Sequence, residues 1–503
     1  MDKNKSLITT ADTKNESLRL LDTTMPSTVV QEYTFESGMR SHSNFISDSK
    51  TVNDDWKKSY IKVSKRSGFL VTLSIIGCMM GAQTYSLPYA TLQTGLWMSI
   101  GINLYKCIIG IISCKILIEC QLMSKWNLPA KIGYYCFGRS SIFVICSLIG
   151  IGGIFQSAAY FKVFSDVFSV LLCKIDNVSH TFWCSKFFGT LILFLILVGI
   201  TLKKRFSDLK YPSLMHMAGI IFLIIFLTVQ LGLGNGKGIP GHHIPTIHWD
   251  LGFLTSMPTF LLAYGCQTSF VPSMNTARNR DHGMKIAIGA FSSIFTIYTI
   301  IICIVLYLYG EDVKENFLLN IETSSDVFSI LILCMFLITS TMHIPFVFFL
   351  GKDSTLTIVD ELMRRSYSKE QDRRMTIRVL NPTITISPDT HTSTADNYLS
   401  MNPVHYYCIT ILLFVIVALC SLAIRSITFF LSIVGSNAST LVVYLLPPVL
   451  YIKCYHISQR KVDFEPNDYQ PKSRVFLVVS WIFIVKGLIF LVLLNFVTFY
   501  TLL

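Results

Sequence analysis

The chain has 503 residues, of which 52% are hydrophobic and 14% are charged, and its formal net charge is +12. An average soluble domain is about 25% charged, and the deficit here comes from long apolar runs, which exclude an ordinary soluble protein and indicate a multi-span membrane protein. The positive charge lies in the loops and not on one folded face, which argues against a nucleic-acid-binding protein. The sequence has no phosphate-binding glycine loop, zinc-spaced Cys/His cluster or nucleophile elbow, which argues against an enzyme.

Residues 1–67 are polar and lack hydrophobic periodicity, which predicts a disordered tail. Within them, Glu16–Leu21 fits the acidic dileucine pattern that sorting adaptors of the endosomal system recognise, although so short a pattern also arises by chance. Because this segment is polar, we expect no signal peptide and read the first span as a signal-anchor. The basic residues from Lys57 to Arg66 predict a cytosolic N-terminus.

Residues 68–503 form the predicted transmembrane domain. Spanning a bilayer takes about 20 apolar residues, and by that rule the sequence predicts an all-α integral membrane protein with about eleven transmembrane helices. The predicted spans are residues 68–91, 96–123, 139–172, 187–202, 212–233, 251–273, 283–309, 326–350, 405–424, 428–452 and 474–500.

Loop charges give an independent test of this count, because cytosolic loops are enriched in Lys and Arg. The predicted inner loops are basic, whereas the outer loop 234–250 holds only Lys237 and the outer loop 310–325 is net acidic. Segment 351–404 is rich in Ser, Thr and Pro and is predicted to be a mobile cytosolic loop. Eleven spans place the C-terminus on the outer or luminal side.

The outer loop 173–186 carries the sequon Asn177-Val-Ser179, an acceptor for N-glycosylation. Its closeness to the membrane argues against use of the site. Cys173 and Cys184 flank the sequon, and the sequence leaves open whether they pair in an oxidising lumen or stay as thiols.

Two spans contain helix-breaking residues at membrane depth. The first has Gly77, Gly81 and Pro88, and the sixth has Pro258 and Gly265. Glycine costs about 1 kcal/mol and proline about 3 kcal/mol inside a helix, and a break in the bilayer is tolerated only where it lines a cavity or is buried in protein. One such break is a simple kink, but two in different spans indicate a binding site near the membrane midplane.

The segment Gly81-Ala-Gln-Thr-Tyr-Ser-Leu-Pro-Tyr-Ala90, followed by Leu92-Gln-Thr-Gly-Leu-Trp97, resembles the first-helix signature of the amino acid/auxin permease family. That signature reads roughly Gly-x-Gly-x-Leu-x-Leu-Pro-Tyr-Ala, followed by a turn to Gly-Trp, and the resemblance covers about residues 65–500. The second glycine of the family is Gln83 here and its leucine is Tyr85. Both changes enlarge side chains where substrate should meet the backbone, so the usual small neutral substrates do not carry over directly.

The resemblance implies the LeuT-type fold: five spans, an inverted repeat of five, and one extra helix. The sixth span should then mirror the first, and Pro258–Gln267 resembles the aromatic-rich sixth helix of the family. Bare N–H groups after the first break, around Gly81 to Thr84, would bind an α-carboxylate, and carbonyls at the sixth-span break, near Tyr264 to Cys266, would bind an α-ammonium. The predicted substrate-binding residues are Gly81, Ala82, Gln83, Thr84, Tyr85, Tyr264, Gly265 and Cys266, with Gln156 and Tyr160 as further cavity-lining candidates.

The eighth span supplies candidates for a coupling ion. In LeuT-type transporters a hydroxyl pair on this helix and carbonyls of the first helix hold sodium, and Ser340 and Thr341 lie where that pair is expected. Oxygen ligands suit a hard cation, but the same hydroxyls commonly bond back to their own helix. His343 lies nearby and titrates near neutrality, so proton coupling is equally arguable. No cofactor beyond sodium or a proton is expected.

Other ionisable residues inside the spans are functional candidates by default. Lys106 lies near mid-depth in the second span. Lys115 with Glu119, and Lys162 with Asp166, are spaced to pair on one helix face, although snorkelling to the interface is the simpler explanation for both lysines. His216 in the fifth span is interpreted as a hydrogen-bonded core histidine and not as a proton relay.

The sequence therefore predicts a secondary active transporter that moves amino acids across a membrane, coupled to a proton or sodium gradient by alternating access. The alternative is a membrane amino acid sensor that signals through its tail or the 351–404 loop. A channel is disfavoured because the chain lacks a ring of charged pore residues. The expected partners are an amino acid substrate and the lipid bilayer, and the membrane is either the plasma membrane or an endolysosomal or vacuolar membrane.

Overall fold

The structure, a computed structural model, describes residues 67–126, 128–176, 182–204, 210–233, 251–275, 277, 282–321, 327–380, 398, 401–461 and 474–500. The predicted adaptor motif at Glu16–Leu21 and the sequon at Asn177 lie outside these residues, and their roles stay predictions. Every described secondary-structure element longer than an isolated bridge is helical.

The helices are numbered in chain order. They are α1 (Gly68–Met79), α2 (Leu87–Thr94), α3 (Leu96–Ser124), α4 (Pro129–Phe137), α5 (Ser140–Asp176), α6 (Lys186–Thr201), α7 (Lys210–Gly232), α8 (Leu251–Ala263), α9 (Gln267–Asn275), α10 (Gly283–Tyr309), α11 (Leu318–Ile321), α12 (Val327–Arg364), α13 (Ser366–Leu380), α14 (Pro403–Ala423), α15 (Ile427–Val434), α16 (Leu446–Lys461) and α17 (Val475–Tyr500). Two π-helical segments, Gly435–Ser439 and Leu441–Leu445, join α15 to α16.

These helices agree with the predicted spans. Among the described residues, eight continuous helical stretches are long and apolar enough to cross a membrane, and α1 and α6 are shorter apolar helices. Each predicted span coincides with one helix, with one interrupted pair of helices, or with the continuous α15–α16 stretch. Large apolar side chains of α17, such as Trp481 and Val492, are exposed, as expected for a helix that faces lipid. The chain is a multi-pass, all-α membrane protein.

The first predicted break is present between α1 and α2. Met80 and Gly81 are extended, Ala82–Tyr85 form one 3₁₀ turn, and α2 begins with Pro88 in its first turn. Proline suits that position because the N–H that it lacks would have no helical partner there. All residues from Met79 to Pro88 are buried, so the interruption lies inside protein.

The second predicted break is present between α8 and α9. The helix ends at Ala263, and the chain resumes helical geometry at Gln267. Gln267 caps the new helix, because its Oε1 accepts a hydrogen bond from the N–H of Cys266 at 3.0 Å. Both halves of the sixth span also contain an internal proline, Pro258 and Pro272.

Helices α5 and α12 touch main chain to main chain at glycines. A Cβ added to Gly153 would lie 2.7 Å from the Gly351 nitrogen, and one added to Gly351 would lie 3.0 Å from the Ile154 nitrogen. Any larger residue at Gly153 would therefore push the two helices apart. Close contact of this kind is typical of helix pairs in membranes, where small residues let backbones approach.

The prediction that 351–404 is a mobile loop was wrong for its first thirty residues. Residues 351–364 continue α12, and residues 366–380 form α13. The physical reason is burial: Leu356 and Tyr367 are fully buried, and their packing overrides the loop-like composition. The remainder, apart from Tyr398 and residues 401–404, lies outside the described residues.

Lys352 connects α12 to the end of α6 through hydrogen bonds. Its fully buried side chain donates from Nζ to the Thr201 carbonyl at 2.8 Å, to the Lys203 carbonyl at 2.9 Å and to the Tyr406 hydroxyl at 2.9 Å. The last carbonyls of a helix have no partner within the helix, and a cation there also interacts favourably with the helix dipole.

The two predicted intrahelical pairs are present. Lys115 lies 2.7 Å from Glu119. Lys162 lies 3.1 Å from Asp166, which Lys186 of α6 also approaches at 2.8 Å. The Lys162 side chain is only 6% exposed, so it is held by the carboxylate inside the protein.

Candidate functional site

The first break presents main-chain donors at the centre of the bundle. In this fully described segment, the N–H groups of Gly81, Ala82 and Gln83 have no hydrogen-bond partner. The N–H of Thr84 was predicted to belong to this group, but it donates to the Gly81 carbonyl at 3.0 Å. The 3₁₀ turn takes that donor, so the candidate anion site consists of three consecutive amides, not four.

The Gln83 side chain folds back over this site. Its Nε2 donates to the Met79 carbonyl at 2.8 Å, and a Cβ added to Gly81 would collide with its Oε1 and Nε2 and lie 2.6 Å from its Cδ. The side chain is 1% exposed, and Oε1 has no partner. Glycine at position 81 therefore provides the space that the Gln83 amide occupies.

The Tyr298 hydroxyl links the two breaks. It lies 2.8 Å from the Met79 carbonyl at the end of α1 and 3.1 Å from the Ala263 carbonyl at the end of α8. A hydroxyl has one hydrogen to donate, so the two carbonyls share one donor. The Met79 carbonyl also accepts from Gln83 Nε2, so the acceptor capacity that an ammonium group could satisfy lies mainly at the Ala263 carbonyl.

The carbonyls predicted to bind an ammonium group are largely engaged. The Tyr264 carbonyl accepts from the Cys266 N–H at 3.2 Å, and the Cys266 carbonyl accepts from the N–H of Ser269 at 3.0 Å. These main-chain bonds start α9 within one turn of the break, which the sequence pattern did not reveal. The Ala263 carbonyl is connected to the first break through the Tyr298 side chain. Gly265 lies in the connection between α8 and α9.

The predicted aromatic residues take different positions. Tyr85 packs edge-on against Phe336 at 4.9 Å between ring centroids, so its contacts are those of ordinary packing. The Tyr264 hydroxyl donates to Asn103 Oδ1 on α3 at 2.5 Å. Tyr160 reaches the first break and donates to the Met80 carbonyl at 2.8 Å, whereas Gln156 on the same helix is half-buried.

Two histidines meet beside the first break. The rings of His216 on α7 and His343 on α12 are stacked, with centroids 4.3 Å apart and an angle of 22° between their planes. His216 Nε2 lies 3.1 Å from the Met80 carbonyl, so the tautomer with hydrogen on Nε2 donates to it. His343 is fully buried, and neither of its ring nitrogens has a partner among the described residues. His216 is hydrogen-bonded, as predicted, but it also belongs to a pair.

The two hydroxyls predicted to bind a coupling ion beside His343 differ in their hydrogen bonding. Thr341 donates back to the Leu337 carbonyl of its own helix at 2.7 Å, which is the alternative that the sequence left open. The Ser340 hydroxyl is buried and has no partner. The first-helix carbonyls of Met79 and Met80 already accept hydrogen bonds from side chains, which leaves little of their capacity for a cation.

Sequence reasoning missed Tyr298 and Asn103 as site residues and did not pair His216 with His343. Tyr298 and Asn103 are polar residues on the buried faces of apolar spans, which was the available signal. Lys106, noted from the sequence, is fully buried, but its Nζ lies 3.3 Å from the Tyr444 hydroxyl, and it makes no hydrogen bond to either break.

Comparison with solved structures agrees with this architecture. A nucleobase-cation-symport-1 family transporter, solved in a closed conformation with bromovinylhydantoin bound, superposes with a TM-score of 0.50 at 11% sequence identity. The match covers 87% of this chain and 93% of that chain. At this identity the likeness concerns the fold alone, and it agrees with the predicted LeuT-type architecture.

Sequence comparison identifies the family. Vacuolar amino acid transporter 6 of Saccharomyces cerevisiae is 24% identical over 274 residues, and the match covers 51% of this chain and 58% of that protein. Sodium-coupled neutral amino acid transporter 7 of Danio rerio is 23% identical over 325 residues, covering 60% of this chain and 67% of that protein. The chain thus matches 58% and 67% of the length of these two relatives. The sequence profile for transmembrane amino acid transporter protein matches residues 64–502, and the chain belongs to that family.

Proposed function

We propose that this protein is a secondary active transporter that moves amino acids across a membrane by alternating access, driven by a cation gradient. The observation that carries the proposal is the meeting of the two interrupted spans, with bare amides on one side and the Ala263 carbonyl on the other. Relatives named as amino acid transporters support the substrate class.

In this proposal the substrate α-carboxylate binds the N–H groups of Gly81, Ala82 and Gln83. Consecutive amides in an irregular turn form an anion-binding concavity without any charged side chain. The Gln83 amide, which now lies over Gly81, moves aside or contacts the substrate. The α-ammonium binds the Ala263 carbonyl, and it reaches the Met79 carbonyl where Gln83 Nε2 or the Tyr298 hydroxyl releases it.

We further propose that the coupling cation is a proton carried by His216 and His343. A charged imidazole in a fully buried position, such as that of His216 or His343, is costly unless an opposite charge compensates it. The substrate carboxylate, bound next to the Met80 carbonyl that His216 contacts, would supply that charge. Proton and substrate would then each favour the binding of the other, as linkage requires. Sodium has weaker support here, because Thr341 bonds back to its own helix.

The test is uptake of an amino acid panel into proteoliposomes, first under a proton gradient and then under a sodium gradient. Accumulation under the proton gradient alone supports both proposals. Accumulation under sodium alone keeps the transporter and overturns the histidine assignment. Binding without uptake under either gradient would instead favour the sensor function.

His343→Gln and His216→Gln sharpen the test, because glutamine keeps hydrogen-bonding capacity but cannot carry the proton. Each variant should still exchange labelled for unlabelled substrate across the membrane, while it loses accumulation driven by the proton gradient. If both variants accumulate substrate as well as the natural protein does, the histidine pair does not carry the proton.

A further inference from the structure

Two lysines and two tyrosines meet between α3, α17 and the second π-helical segment. Lys106 Nζ of α3 lies 3.3 Å from the Tyr444 hydroxyl and 4.6 Å from the centroid of that ring. The Tyr105 and Tyr444 hydroxyls are 3.2 Å apart, and Lys486 Nζ of α17 lies 4.2 Å from the Tyr105 centroid. We call these four residues the lysine–tyrosine cluster.

The cluster holds positive charge without a carboxylate to balance it. Among the described residues, neither Lys106 nor Lys486 forms an ion pair. Helix α17 has no acidic residue, and the one acidic residue of α3, Glu119, pairs with Lys115. Lys106 is fully buried. The face of a tyrosine ring attracts a cation only weakly, so the rings do not compensate for the removal of an ammonium ion from water.

Hydrogen-bond donors in the lysine–tyrosine cluster outnumber its acceptors. A lysine ammonium has three hydrogens and no acceptor, and a phenol has one hydrogen. Lys106 uses one of its three hydrogens on Tyr444. Whichever of the two hydroxyls donates to the other, the second phenolic hydrogen has no acceptor in the described part of the chain. A ligand that accepts hydrogen bonds from several donors and carries negative charge would satisfy both deficits.

Two features of the surroundings agree with a ligand site. Tyr444 lies in the π-helical segment Leu441–Leu445, and π turns are rare and frequently occur at functional sites. Lys486 is half-buried, and it contacts Tyr105 and Phe490 through their rings. No described residue accepts a hydrogen bond from its ammonium group, so all three of its donors are available to a ligand.

We propose that the lysine–tyrosine cluster binds one small inorganic anion, a halide such as chloride. One negative charge is what the single fully buried cation, Lys106, requires, whereas a divalent oxyanion would bring more charge than that cation balances. Lys486 and the remaining phenolic hydrogen supply the other donors. Asn103, one turn earlier on α3, accepts from the Tyr264 hydroxyl at the second break at 2.5 Å. The anion would therefore hold α3 against α17 next to the turn that contacts this break.

The test measures anion binding and not transport, so its result is independent of the proposed function. The full chain is purified in detergent with sodium gluconate, and the binding of radiolabelled chloride is followed by scintillation proximity. Chloride should bind saturably, and unlabelled bromide should displace it while gluconate should not. Replacing gluconate by chloride at constant ionic strength should also raise the thermal midpoint, because a ligand of the folded state stabilises that state by mass action.

Matched variants locate the anion. Lys106→Met and Lys486→Met should each weaken chloride binding by about tenfold or more. Lys106→Met should also raise the thermal midpoint in gluconate, because it removes an uncompensated buried charge. Lys486→Arg keeps the positive charge and should keep binding. Lys115→Gln changes a lysine of the same helix that is paired with Glu119, and it should keep binding too.

Three results would overturn the proposal. The first is the absence of saturable chloride binding to the natural protein. The second is binding that persists in both Lys106→Met and Lys486→Met, because the anion would then lie outside the cluster. The third is an equal loss of binding in Lys115→Gln, which would reflect total charge. Since Lys486 is half-buried, its substitution tests the site even if Lys106→Met does not fold.

Discussion

The contact between Gly81 and Gln83 makes a prediction that tests the centre of the site. In Gly81→Ala, the new Cβ would collide with the Gln83 amide. The backbone itself tolerates alanine, because φ is −113° at this residue. The three atoms nearest to the new Cβ all belong to this one side chain, which is held by a hydrogen bond to the Met79 carbonyl.

The loss of stability in Gly81→Ala follows from the hydrogen bond that the Gln83 side-chain amide loses when it moves. A buried hydrogen bond contributes about 0.5–1.5 kcal/mol net, and a buried polar group left unpaired costs about 1–3 kcal/mol. Gly81→Ala should therefore destabilise the protein by roughly 1–4 kcal/mol. Gln83→Ala removes both the hydrogen bond and an unpaired oxygen, so we expect a smaller effect from it.

The assay is a double-mutant cycle on the thermal midpoint in detergent, with Gly81→Ala, Gln83→Ala and the double variant. The double variant should be close to Gln83→Ala alone, so the coupling energy should equal the whole effect of Gly81→Ala, roughly 1–4 kcal/mol. Gly101→Ala is the matched control, because a Cβ there meets nothing within 4 Å. Simple additivity of the two single changes would refute the placement of the amide against Gly81.

Three further changes test other contacts of the structure. Tyr298→Phe removes the hydroxyl between the two breaks and should cost about 1–3 kcal/mol of stability, and an unchanged thermal midpoint would contradict that bridge. Lys352→Met leaves the Thr201 carbonyl at the end of α6 unpaired, while the Lys203 carbonyl keeps the Tyr406 hydroxyl, and it should cost roughly a similar 1–3 kcal/mol, visible as faster hydrogen exchange at the end of α6. On α13, burial alone would raise the pKa of the Glu370 carboxyl, but hydrogen bonds from Arg374 and Arg373 outweigh burial and hold that pKa below its ordinary value. This stabilisation is present above the ordinary carboxyl pKa and is lost as the pH falls through the lowered pKa. In Glu370→Gln, the loss of stability on acidification, followed through the thermal midpoint, should therefore be smaller by less than about 1 kcal/mol.

The breaks could be predicted from sequence because their cause is local. Gly81 and Pro88 disfavour a continuous helix whatever surrounds them, and the same holds for the region between Pro258 and Gly265. The span boundaries were predictable for a related reason: bilayer thickness sets the length of an apolar run.

The contacts that complete the site could not be predicted, because they join residues far apart in the chain. Tyr298 reaches Met79 across 219 positions, and periodicity carries no information on such a pairing. The same limit explains α13, where the fit of Tyr367 into the bundle decides the structure of a segment whose composition resembles a loop. The prediction for the Thr84 N–H was wrong for a different reason, because this group forms a hydrogen bond within the 3₁₀ turn.

The glycine contact between α5 and α12 has a mechanical consequence. Two backbones that touch at Gly153 and Gly351 resist sliding, because displacement along either axis would drive a neighbouring residue into the opposite main chain. Tyr160 and His343, which are carried by these two helices, should then keep a constant separation throughout the proposed transport cycle. The Met80 carbonyl lies in the break that follows α1, so opening and closing in the proposed cycle would appear as a change in its distance from Tyr160. A pair of spectroscopic labels on α1 and α5 would measure that change.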